Sequence, residues 1–365
     1  MIVFNGNFHK DAFPKLAFFA ESSATISNIS TIRNSKFIFI NYDLKNQIEN
    51  LTSNNPSLLR FPDTVVFEKA QEITKSEFEE LFQDYKQSPS VNLNPTISKG
   101  KYIENVNRLK QHIQNGDVYE LNYCITFEAR NISINPLDVY HKLNSISKAP
   151  YSALVKLEDK YIISASPELF LSKRGNTLFT KPIKGTIKRG TAPEEDEKLK
   201  SELYNSLKER TENVMIVDVA RNDLSRIAQK GTVKVEKMFD IETYEQVHQM
   251  VSTVSCELKK NTSFMDIIRA TFPMASMTGA PKIRAMELID NFETYSRGPY
   301  SGCIGYIDEK GDFDLSVLIR SIFYNESEKY LSFSVGSAIT AMCDPEKEYE
   351  ECLLKAAALK KTLEE

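Results

Sequence analysis

The sequence lacks the patterns that mark zinc-binding, disulfide-bonded and membrane proteins. Its five cysteines are scattered, odd in number and include no C-x-x-C pair, so they indicate neither a zinc site nor a disulfide framework. Such usage suits a reducing compartment, and we expect a cytoplasmic protein. Residues 1–5 have neither the basic segment nor the long apolar core of a signal peptide. No run approaches the roughly 18 apolar residues of a membrane span, so we expect no membrane partner.

The sequence also has no basic run interleaved with aromatic residues, and its formal net charge is −4. We therefore expect no nucleic-acid partner. A small acidic substrate would need local cations, because the overall charge would not attract it. The hydrophobic content of 41% argues against disorder. There is no G-x-G-x-x-G motif and no regular strand–helix alternation, which favours an α+β fold over a doubly wound sheet.

The 365 residues are enough for one large core or for two domains. Residues 1–90 read as a mostly β region with helical insertions. The polar, proline-bearing stretch 87–95 is the best linker candidate. Beyond it, Ile103, Val106 and Leu109 recur at helical spacing. We therefore predict an N-terminal β-rich subregion at 1–95, which belongs to the same fold as a core region at 96–365.

A predicted β-hairpin carries two side chains suited to catalysis. Two β-rich runs flank the Gly175–Asn176 turn, and Glu168 and Lys184 lie at similar distances on either side of it. We expect the hairpin to bring these two residues together. A carboxylate and an amine at the end of one sheet are a plausible acid and nucleophile. The alternative is a surface ion pair beside a hairpin.

Acidic side chains recur at helical spacing in two places. Glu348 and Glu351 lie three residues apart, and Lys355 follows one turn later on the same face. Glu209 and Glu212 form a second pair on another helix. Magnesium is typically held by one or two carboxylates together with waters and substrate oxygens, so two such helices facing each other would make a magnesium site. The alternative is two solvated helix faces.

Three further features suit an anionic ligand. Arg320 ends the apolar stretch 315–319, and an arginine there can clamp a carboxylate through two hydrogen bonds, although a rim salt bridge is an equal alternative. Residues 335–338 (Val-Gly-Ser-Ala) follow a predicted strand at 331–334. Their small side chains would let backbone N–H groups approach an anion, unless they form only a tight turn. The loop at 272–282 offers Ser and Thr hydroxyls that can shape a pocket.

A series of motifs, taken together, resembles the chorismate-utilising family. That family includes anthranilate synthase component I, aminodeoxychorismate synthase component I, isochorismate synthases and salicylate synthases. The motifs follow the family's order over about residues 100–360. They are Ile113, residues 116–122 (Gly-Asp-Val-Tyr-Glu-Leu-Asn), 166–170 (Ser-Pro-Glu-Leu-Phe), 182–186 (Pro-Ile-Lys-Gly-Thr), 212–218 (Glu-Asn-Val-Met-Ile-Val-Asp), 221–224 (Arg-Asn-Asp-Leu), 278–282 (Thr-Gly-Ala-Pro-Lys), Arg320, and 348–351 (Glu-Tyr-Glu-Glu) with Lys355. The resemblance implies a four-layer α/β/β/α fold with orthogonally packed, mixed or antiparallel sheets. It makes 96–365 the chorismate-binding catalytic core.

The lysine in Pro-Ile-Lys-Gly-Thr resembles the aminodeoxychorismate synthase branch, because anthranilate synthases typically carry alanine in this motif. The run 42–46 (Tyr-Asp-Leu-Lys-Asn) also resembles that branch. The implied activity is that of a magnesium-dependent transferase. It converts chorismate and ammonia to 4-amino-4-deoxychorismate, for 4-aminobenzoate and folate biosynthesis. The ammonia would come from a glutamine amidotransferase partner.

The resemblance also implies roles for individual residues. Lys184 would add at ring C2 as the C4 hydroxyl leaves, with Glu168 as proton donor, and ammonia would then enter at C4 and expel the lysine. For this, Lys184 must be neutral, and burial together with nearby magnesium would lower its pKa. Magnesium would bind the ring carboxylate and be held by Glu212, Glu348, Glu351 and Glu209. The substrate-binding set is Thr186, Thr278, Gly279, Tyr300, Arg320, Gly336, Ser337, Ala338 and Lys355.

Two departures from the family pattern bear on function. Gln249 stands where many members carry histidine, and His248 lies one position earlier, so on a strand it would face the other side. Residues 18–22 (Phe-Phe-Ala-Glu-Ser) match the family's tryptophan-binding segment only in part, which weakens the expectation of tryptophan binding. The alternatives are anthranilate synthase component I, another chorismate-converting enzyme, or an inactive chorismate-binding module.

Overall fold

The structure is a computed structural model that describes residues 2–7, 16–20, 23–25, 37–67, 70–73, 80, 86–244 and 247–365. Within these ranges the strands form two ten-stranded antiparallel sheets. The strands are β1 Ile2–Asn5, β2 Leu16–Ala20, β3 Ser23–Thr25, β4 Phe37–Ile40, β5 Thr64–Phe67, β6 Ala70–Ile73, β7 Asn94–Pro95, β8 Glu120–Arg130, β9 Tyr151–Leu157, β10 Lys160–Ser166, β11 Leu169–Arg174, β12 Thr177–Thr180, β13 Ile183–Lys188, β14 Lys234–Thr243, β15 Val247–Glu257, β16 Gly279–Ala280, β17 Cys303–Ile307, β18 Phe313–Val317, β19 Ser321–Asn325 and β20 Tyr330–Thr340.

Except for the short helix Lys45–Glu49, the helices of the described residues begin at side-chain caps or at proline. Ser206 ends one helix and caps the next, because its hydroxyl accepts a hydrogen bond from the Glu209 N–H. The helices are α1 Lys45–Glu49, α2 Lys99–Gln114, α3 Pro136–Ser147, α4 Pro193–Asn205, α5 Leu207–Ser225, α6 Phe264–Thr271, α7 Lys282–Phe292 and α8 Pro345–Glu364.

The first sheet has the strand order β16-β8-β20-β19-β10-β9-β1-β2-β6, with β7 paired to β8. The second has the order β13-β15-β12-β11-β18-β17-β4-β5-β3, with β14 paired to β15. Neighbours in these orders are often distant in sequence, since β8 pairs with β20 and β13 with β15. The motifs that carry the predicted site residues are therefore brought together by long-range pairing.

Alternating burial along the strands produces the layers. In β1, Ile2 and Phe4 face one hydrophobic cluster while Val3 faces the other. In β10, Ile162 and Ile163 divide in the same way. Helices α2, α3 and α8 contribute to the second cluster, and α5 packs against β13 and β15 of the other sheet. This confirms the expected α/β/β/α layering of an α+β fold.

The N-terminal strands extend both sheets, since β1 pairs with β9 and β4 pairs with β17.

The linker predicted at 87–95 is wrong, because this stretch is packed against the core. Val91 is buried and its N–H donates to the Leu363 carbonyl at 2.8 Å, and β7 pairs with β8. The division between 1–95 and 96–365 stays a prediction. Of the partial tryptophan segment, Glu21 and Ser22 lie outside the described residues.

A search of the described residues for a helix that is both long enough and apolar enough to cross a membrane finds none.

Candidate active site

The hairpin predicted around Gly175 is present and positions the first candidate residue. Strands β11 and β12 pair from Ser172 with Phe179 to Arg174 with Thr177, and Gly175 adopts the positive φ of 57° that the turn requires. Glu168 directly precedes β11, and β13 follows β12 after a short connection. The hairpin therefore places Glu168 and the start of β13 at the same end of the second sheet.

Glu168 is buried, and its side chain is hydrogen-bonded to an uncharged hydroxyl group. It is 5% exposed, and its Oε1 accepts a hydrogen bond of 2.5 Å from the Ser276 hydroxyl. Burial raises the pKa of Glu168 to about 7, against the opposing effects of the Ser276 hydroxyl and the Lys184 ammonium. A carboxyl group that keeps its proton near neutral pH is suited to act as a general acid.

Lys184 contacts different carboxylates from the one expected. Its Nζ lies 2.7 Å from Glu120 Oε1 and 3.9 Å from Glu212 Oε2, and no direct ion pair joins it to Glu168. Burial lowers the pKa of Lys184, but the two carboxylates outweigh burial and hold the pKa above its usual value. The surrounding carboxylates thus favour the ammonium form of Lys184. The lowering of this pKa expected from magnesium stays a prediction.

The next residue, Gly185, makes room for the site. It has a positive φ of 87°, and it lies in a bulge of β13 where the pairing with β15 shifts between Ile183 and Thr186. A Cβ at this position would lie 2.9 Å from Glu209 Oε2. Glu209 thus abuts the Lys184 segment, while Thr186 is exposed.

The two predicted acidic helix faces do meet, around a lysine that the sequence analysis did not select. Lys208, in the first turn of α5, reaches α8, where its Nζ lies 2.9 Å from Glu348 Oε1 and 3.4 Å from Glu351 Oε2. The same Nζ lies 3.9 Å from Glu212 Oε1. Glu351 also pairs with Lys355 Nζ at 2.7 Å. Carboxylates of both helices therefore share one ammonium group.

The carboxylates of α5 and α8 are the kind of ligand that a hard divalent cation prefers. In this structure, however, their oxygens do not surround a common point. Glu212 Oε1 and Glu348 Oε2 are buried and have no hydrogen-bond partner in the described part of the chain. Burial raises the pKa of Glu212 to about 7, and it also raises the pKa of Glu348. Within the described ranges, no three side chains of His, Cys, Asp or Glu converge on one point. Unsatisfied carboxylate oxygens are the ligands that magnesium prefers.

Arg320 is a cation suited to an anionic ligand. It lies between β18 and β19, and its guanidinium makes no hydrogen bond or ion pair with the described residues. Burial lowers the pKa of Arg320, and Glu168 opposes this effect. Arg320 is half-buried. A guanidinium that is partly withdrawn from water without a partner is costly, and a carboxylate of a ligand would compensate it.

Residues 336–338 do not form the strand end that we predicted. They lie inside β20, where Gly336 pairs with Cys124, Ser337 with Tyr123 and Ala338 with Asn122. The Ser337 hydroxyl is buried against the Tyr102 hydroxyl at 2.8 Å. The Gly336 carbonyl accepts a hydrogen bond from Lys355 Nζ at 2.9 Å. The strand continues because β8 pairs with it along its whole length. Glycine at position 336 leaves room for Cys124, since a Cβ there would lie 2.6 Å from the Cys124 Sγ.

The loop that carries Thr278 and Gly279 is held against β8. Gly279 pairs with Leu121, and the Thr278 carbonyl accepts the Asn122 N–H at 2.8 Å. The buried Arg297 joins the same two segments, since it donates to the Met277 carbonyl at 2.6 Å and to the Asn122 carbonyl at 2.8 Å. This anchoring holds the loop in place, and the loop carries Ser276, the hydrogen-bond partner of Glu168.

The other predicted residues of interest lie in the interior. Tyr300 is 3% exposed, and its hydroxyl lies 3.7 Å from Cys124 Sγ. His248 is fully buried, with Nε2 2.9 Å from Asp196 and Nδ1 2.9 Å from Thr243. Gln249, the next residue, is 1% exposed and its Oε1 has no hydrogen-bond partner. His248 therefore secures α4 to β15 through Asp196.

Comparison with known sequences identifies the family of the chain. The model of the chorismate binding enzyme family matches residues 9–361. The chain belongs to this family.

Several curated relatives of the chain share the family. It is 44% identical over 269 residues to the chloroplastic aminodeoxychorismate synthase of Arabidopsis thaliana, covering 72% of this chain and 29% of that protein. It is 39% identical over 263 residues to aminodeoxychorismate synthase component 1 of Bacillus subtilis, covering 72% and 55%. Anthranilate synthase component 1 of Acetivibrio thermocellus is 40% identical over 271 residues, covering 74% and 54%. The matched region thus spans about half the length of these bacterial relatives, and less of the plant protein.

Solved structures support the chorismate-binding fold. Anthranilate synthase component I from Streptococcus pneumoniae superimposes with a TM-score of 0.77 and 27% identity, over 92% of this chain and 83% of that one. A putative 2,3-dihydroxybenzoate-specific isochorismate synthase from Bacillus anthracis gives 0.75 at 20% identity, over 99% and 96%. The expected anthranilate synthase component I-like architecture is confirmed.

Three residues of the site were not selected from the sequence. Lys208 lies four residues before Glu212, so helical spacing could have revealed it. Ser276 belongs to a loop chosen for its hydroxyls, but nothing local pointed to Glu168 as its partner. Glu120 stands inside a family motif, and only the tertiary structure brings it to Lys184.

Proposed function

We propose that this chain is the chorismate-converting component of an aminodeoxychorismate synthase. The observation that carries the proposal is Lys184, an amine held among buried carboxylates a short way along the chain from the protonatable Glu168. Similarity to aminodeoxychorismate synthases of plants and bacteria supports it. The product would be 4-amino-4-deoxychorismate, for 4-aminobenzoate and folate biosynthesis. A cytoplasmic location belongs to the same proposal.

In the proposed reaction, the Lys184 amine forms a bond to ring C2 of chorismate while the bond from C4 to its hydroxyl breaks. Glu168 gives its proton to that leaving oxygen, which departs as water. Ammonia then forms a bond at C4 and the lysine leaves C2, which regenerates the free amine. Lys184 must first lose the proton that Glu120 and Glu212 stabilise. Arg320, with its uncompensated charge, would hold a substrate carboxylate.

Magnesium would be held by Glu212, Glu348 and Glu351, with Glu209 beside them. When bound there, it would supply counter-charge for a substrate carboxylate and reduce the negative charge of Glu212 that favours protonated Lys184. Lys355, whose ammonium links Glu351 to the Gly336 carbonyl, would position α8 against β20. The remaining predicted substrate contacts are Thr186, Thr278, Gly279, Tyr300, Ser337 and Ala338.

The nitrogen source belongs to the same proposal. No G-x-C-x-G motif with a following histidine occurs in the sequence. We therefore expect the purified chain to use free ammonia, and to use glutamine after a separate amidotransferase subunit is added.

A second enzyme function, anthranilate synthesis, is favoured by the 40% identity to an anthranilate synthase component 1. The non-enzyme alternative is an inactive chorismate-binding module. One assay separates all three: chorismate with ammonium and magnesium, followed by mass spectrometry and fluorescence. We expect the non-fluorescent amino product, with loss of turnover in EDTA and recovery with magnesium. Fluorescent anthranilate would establish the second function, and binding without turnover would establish the third.

Substitution of Lys184 tests the covalent step. Lys184→Ala should still bind chorismate, while turnover falls by roughly three orders of magnitude or more. Lys184→Arg should fail as well, because a guanidinium stays protonated and cannot attack. Turnover at saturating ammonia is measured for both variants, with substrate binding as the control for folding. Near-native turnover in the arginine variant would exclude a nucleophilic Lys184.

A further inference from the structure

We propose that the Lys208 ammonium is a built-in counter-ion of the α5–α8 carboxylates, which Mg²⁺ must displace in order to bind. This residue then sets the affinity of the protein for the metal. The inference rests on the magnesium site of the proposed function, and it adds a competitor within the chain itself.

The contacts of Lys208 define the position of this counter-ion. Its Nζ lies 2.9 Å from Glu348, 3.4 Å from Glu351 and 3.9 Å from Glu212. These are the three carboxylates proposed to hold magnesium. Glu348 is 1% exposed and Glu212 is 5% exposed. Glu351 is more open, with 35% of its side chain exposed. Two buried carboxylates beside a third need a cation between them, and Lys208 provides it.

One ammonium group leaves this cluster incompletely satisfied. Glu348 Oε1 accepts a hydrogen bond from Lys208 Nζ. Among the described residues, neither the buried Glu348 Oε2 nor Glu212 Oε1 has a hydrogen-bond partner. A lysine offers three N–H donors and a single positive charge. A divalent cation offers twice the charge and six ligand positions. The unsatisfied oxygens therefore point to a second, more highly charged occupant.

Lys208 is also placed so that it can leave. It lies in the first turn of α5, two residues after the helix break at Ser206. Its side chain is 44% exposed, whereas that of Lys184, the other lysine near Glu212, is 11% exposed. A long side chain at the mouth of a site can turn into solvent without repacking the core. Displacement of Lys208 thus requires no change in the fold.

The test is calorimetric titration of Mg²⁺ into the chelator-treated full chain, which reports metal affinity without turnover. We expect Lys208→Met to bind Mg²⁺ about tenfold or more tightly than the wild type, since a competing charge within 4 Å has been removed. Lys208→Arg keeps the charge and should bind within about threefold of the wild type. The matched control is Lys200→Met, which removes a lysine of α4 that pairs with Glu197 at 3.2 Å, away from these carboxylates. It should leave the affinity unchanged.

Thermal melting provides a second readout and shows that the variants fold. Without its counter-ion, Lys208→Met should melt below the wild type in EDTA and gain more than the wild type from added Mg²⁺. Unchanged or weaker Mg²⁺ binding by a folded Lys208→Met overturns the inference, even when the wild type binds the metal and forms product. Absence of Mg²⁺ binding in every variant overturns the inference and the proposed magnesium site together. Binding seen in Lys208→Met and not in the wild type supports the inference.

Discussion

Two glutamates of the same site, Glu168 and Glu351, have pKa values shifted in opposite directions. Burial raises the pKa of Glu168 to about 7, although the Ser276 hydroxyl and the Lys184 ammonium oppose this effect. Burial also acts to raise the pKa of Glu351, but the nearby Lys355 and Lys208 ammonium groups hold it below its usual value. The pair of direct contacts with ammonium groups thus distinguishes Glu351 from Glu168. It divides the site into an end that can donate a proton and an end that can hold a cation.

We expect the largest effect when the carboxyl group of Glu168 is removed. Glu168→Gln should lower turnover by roughly 10²- to 10⁴-fold, the usual contribution of a general acid, because an amide cannot supply the proton. Chorismate turnover at saturating ammonia is the measurement, with calorimetric Mg²⁺ binding as the control. Mg²⁺ affinity should not change, since Glu168 lies outside the carboxylate cluster. A glutamine variant that keeps half of the wild-type turnover would exclude Glu168 as the proton donor.

The second test uses stability against pH. The pKa of Glu168 rises from 4.5 in the unfolded chain to about 7 in the folded protein, so folding favours its protonated form. Its stabilising contribution is complete below pH 4.5 and is lost as the pH rises to about 7, at up to about 3 kcal/mol. Asp223 and Glu212 also have raised pKa values, so the measurement is the difference between wild type and Glu168→Gln in denaturant unfolding from pH 4 to 8.

The glutamine variant should lose less stability than the wild type across this range. Parallel stability curves for the two proteins would mean that Glu168 has an ordinary pKa in the folded state.

The smallest expected effect concerns Ser276. Its hydroxyl lowers the pKa of Glu168, so Ser276→Ala should raise that pKa by roughly one unit and move the basic limb of the turnover profile to higher pH. Ser252→Ala is the matched control, since that hydroxyl donates to Asn213 at 2.6 Å and not to Glu168. A shift to lower pH, or an equal shift in both variants, would contradict the assignment.

Local patterns predicted local structure in this chain. The turn at Gly175 and the acidic faces of α5 and α8 both follow from spacing within a few residues. The same reasoning failed at 336–338. There, small side chains indicated a strand end, but the 11-residue pairing of β20 with β8 continues through them. Strand length depends on the partner strand, which lies more than 200 residues away in sequence.

The charge state of Lys184 shows why the site itself was harder to predict. The sequence offers a lysine near a glutamate across a hairpin, and this suggested Glu168 as its partner. The actual partner, Glu120, is 64 residues away and comes from the other sheet. Glu120 and Glu212 together reverse the effect of burial on the pKa. The balance between burial and these charges depends on side chains from β8, β13, α5 and α8. A local sequence pattern cannot predict it.

The bulge at Gly185 has a consequence for protein engineering. Any other residue there would have to adopt the left-handed φ of 87°, and its Cβ would come within 2.9 Å of Glu209 and 3.0 Å of Leu203. A mutant library that varies position 184 to obtain new chorismate chemistry should therefore leave position 185 as glycine. Strand β13 itself offers no additional volume beside Lys184. Such volume would have to come from a shorter side chain at Leu203 of α4 or at Glu209 of α5.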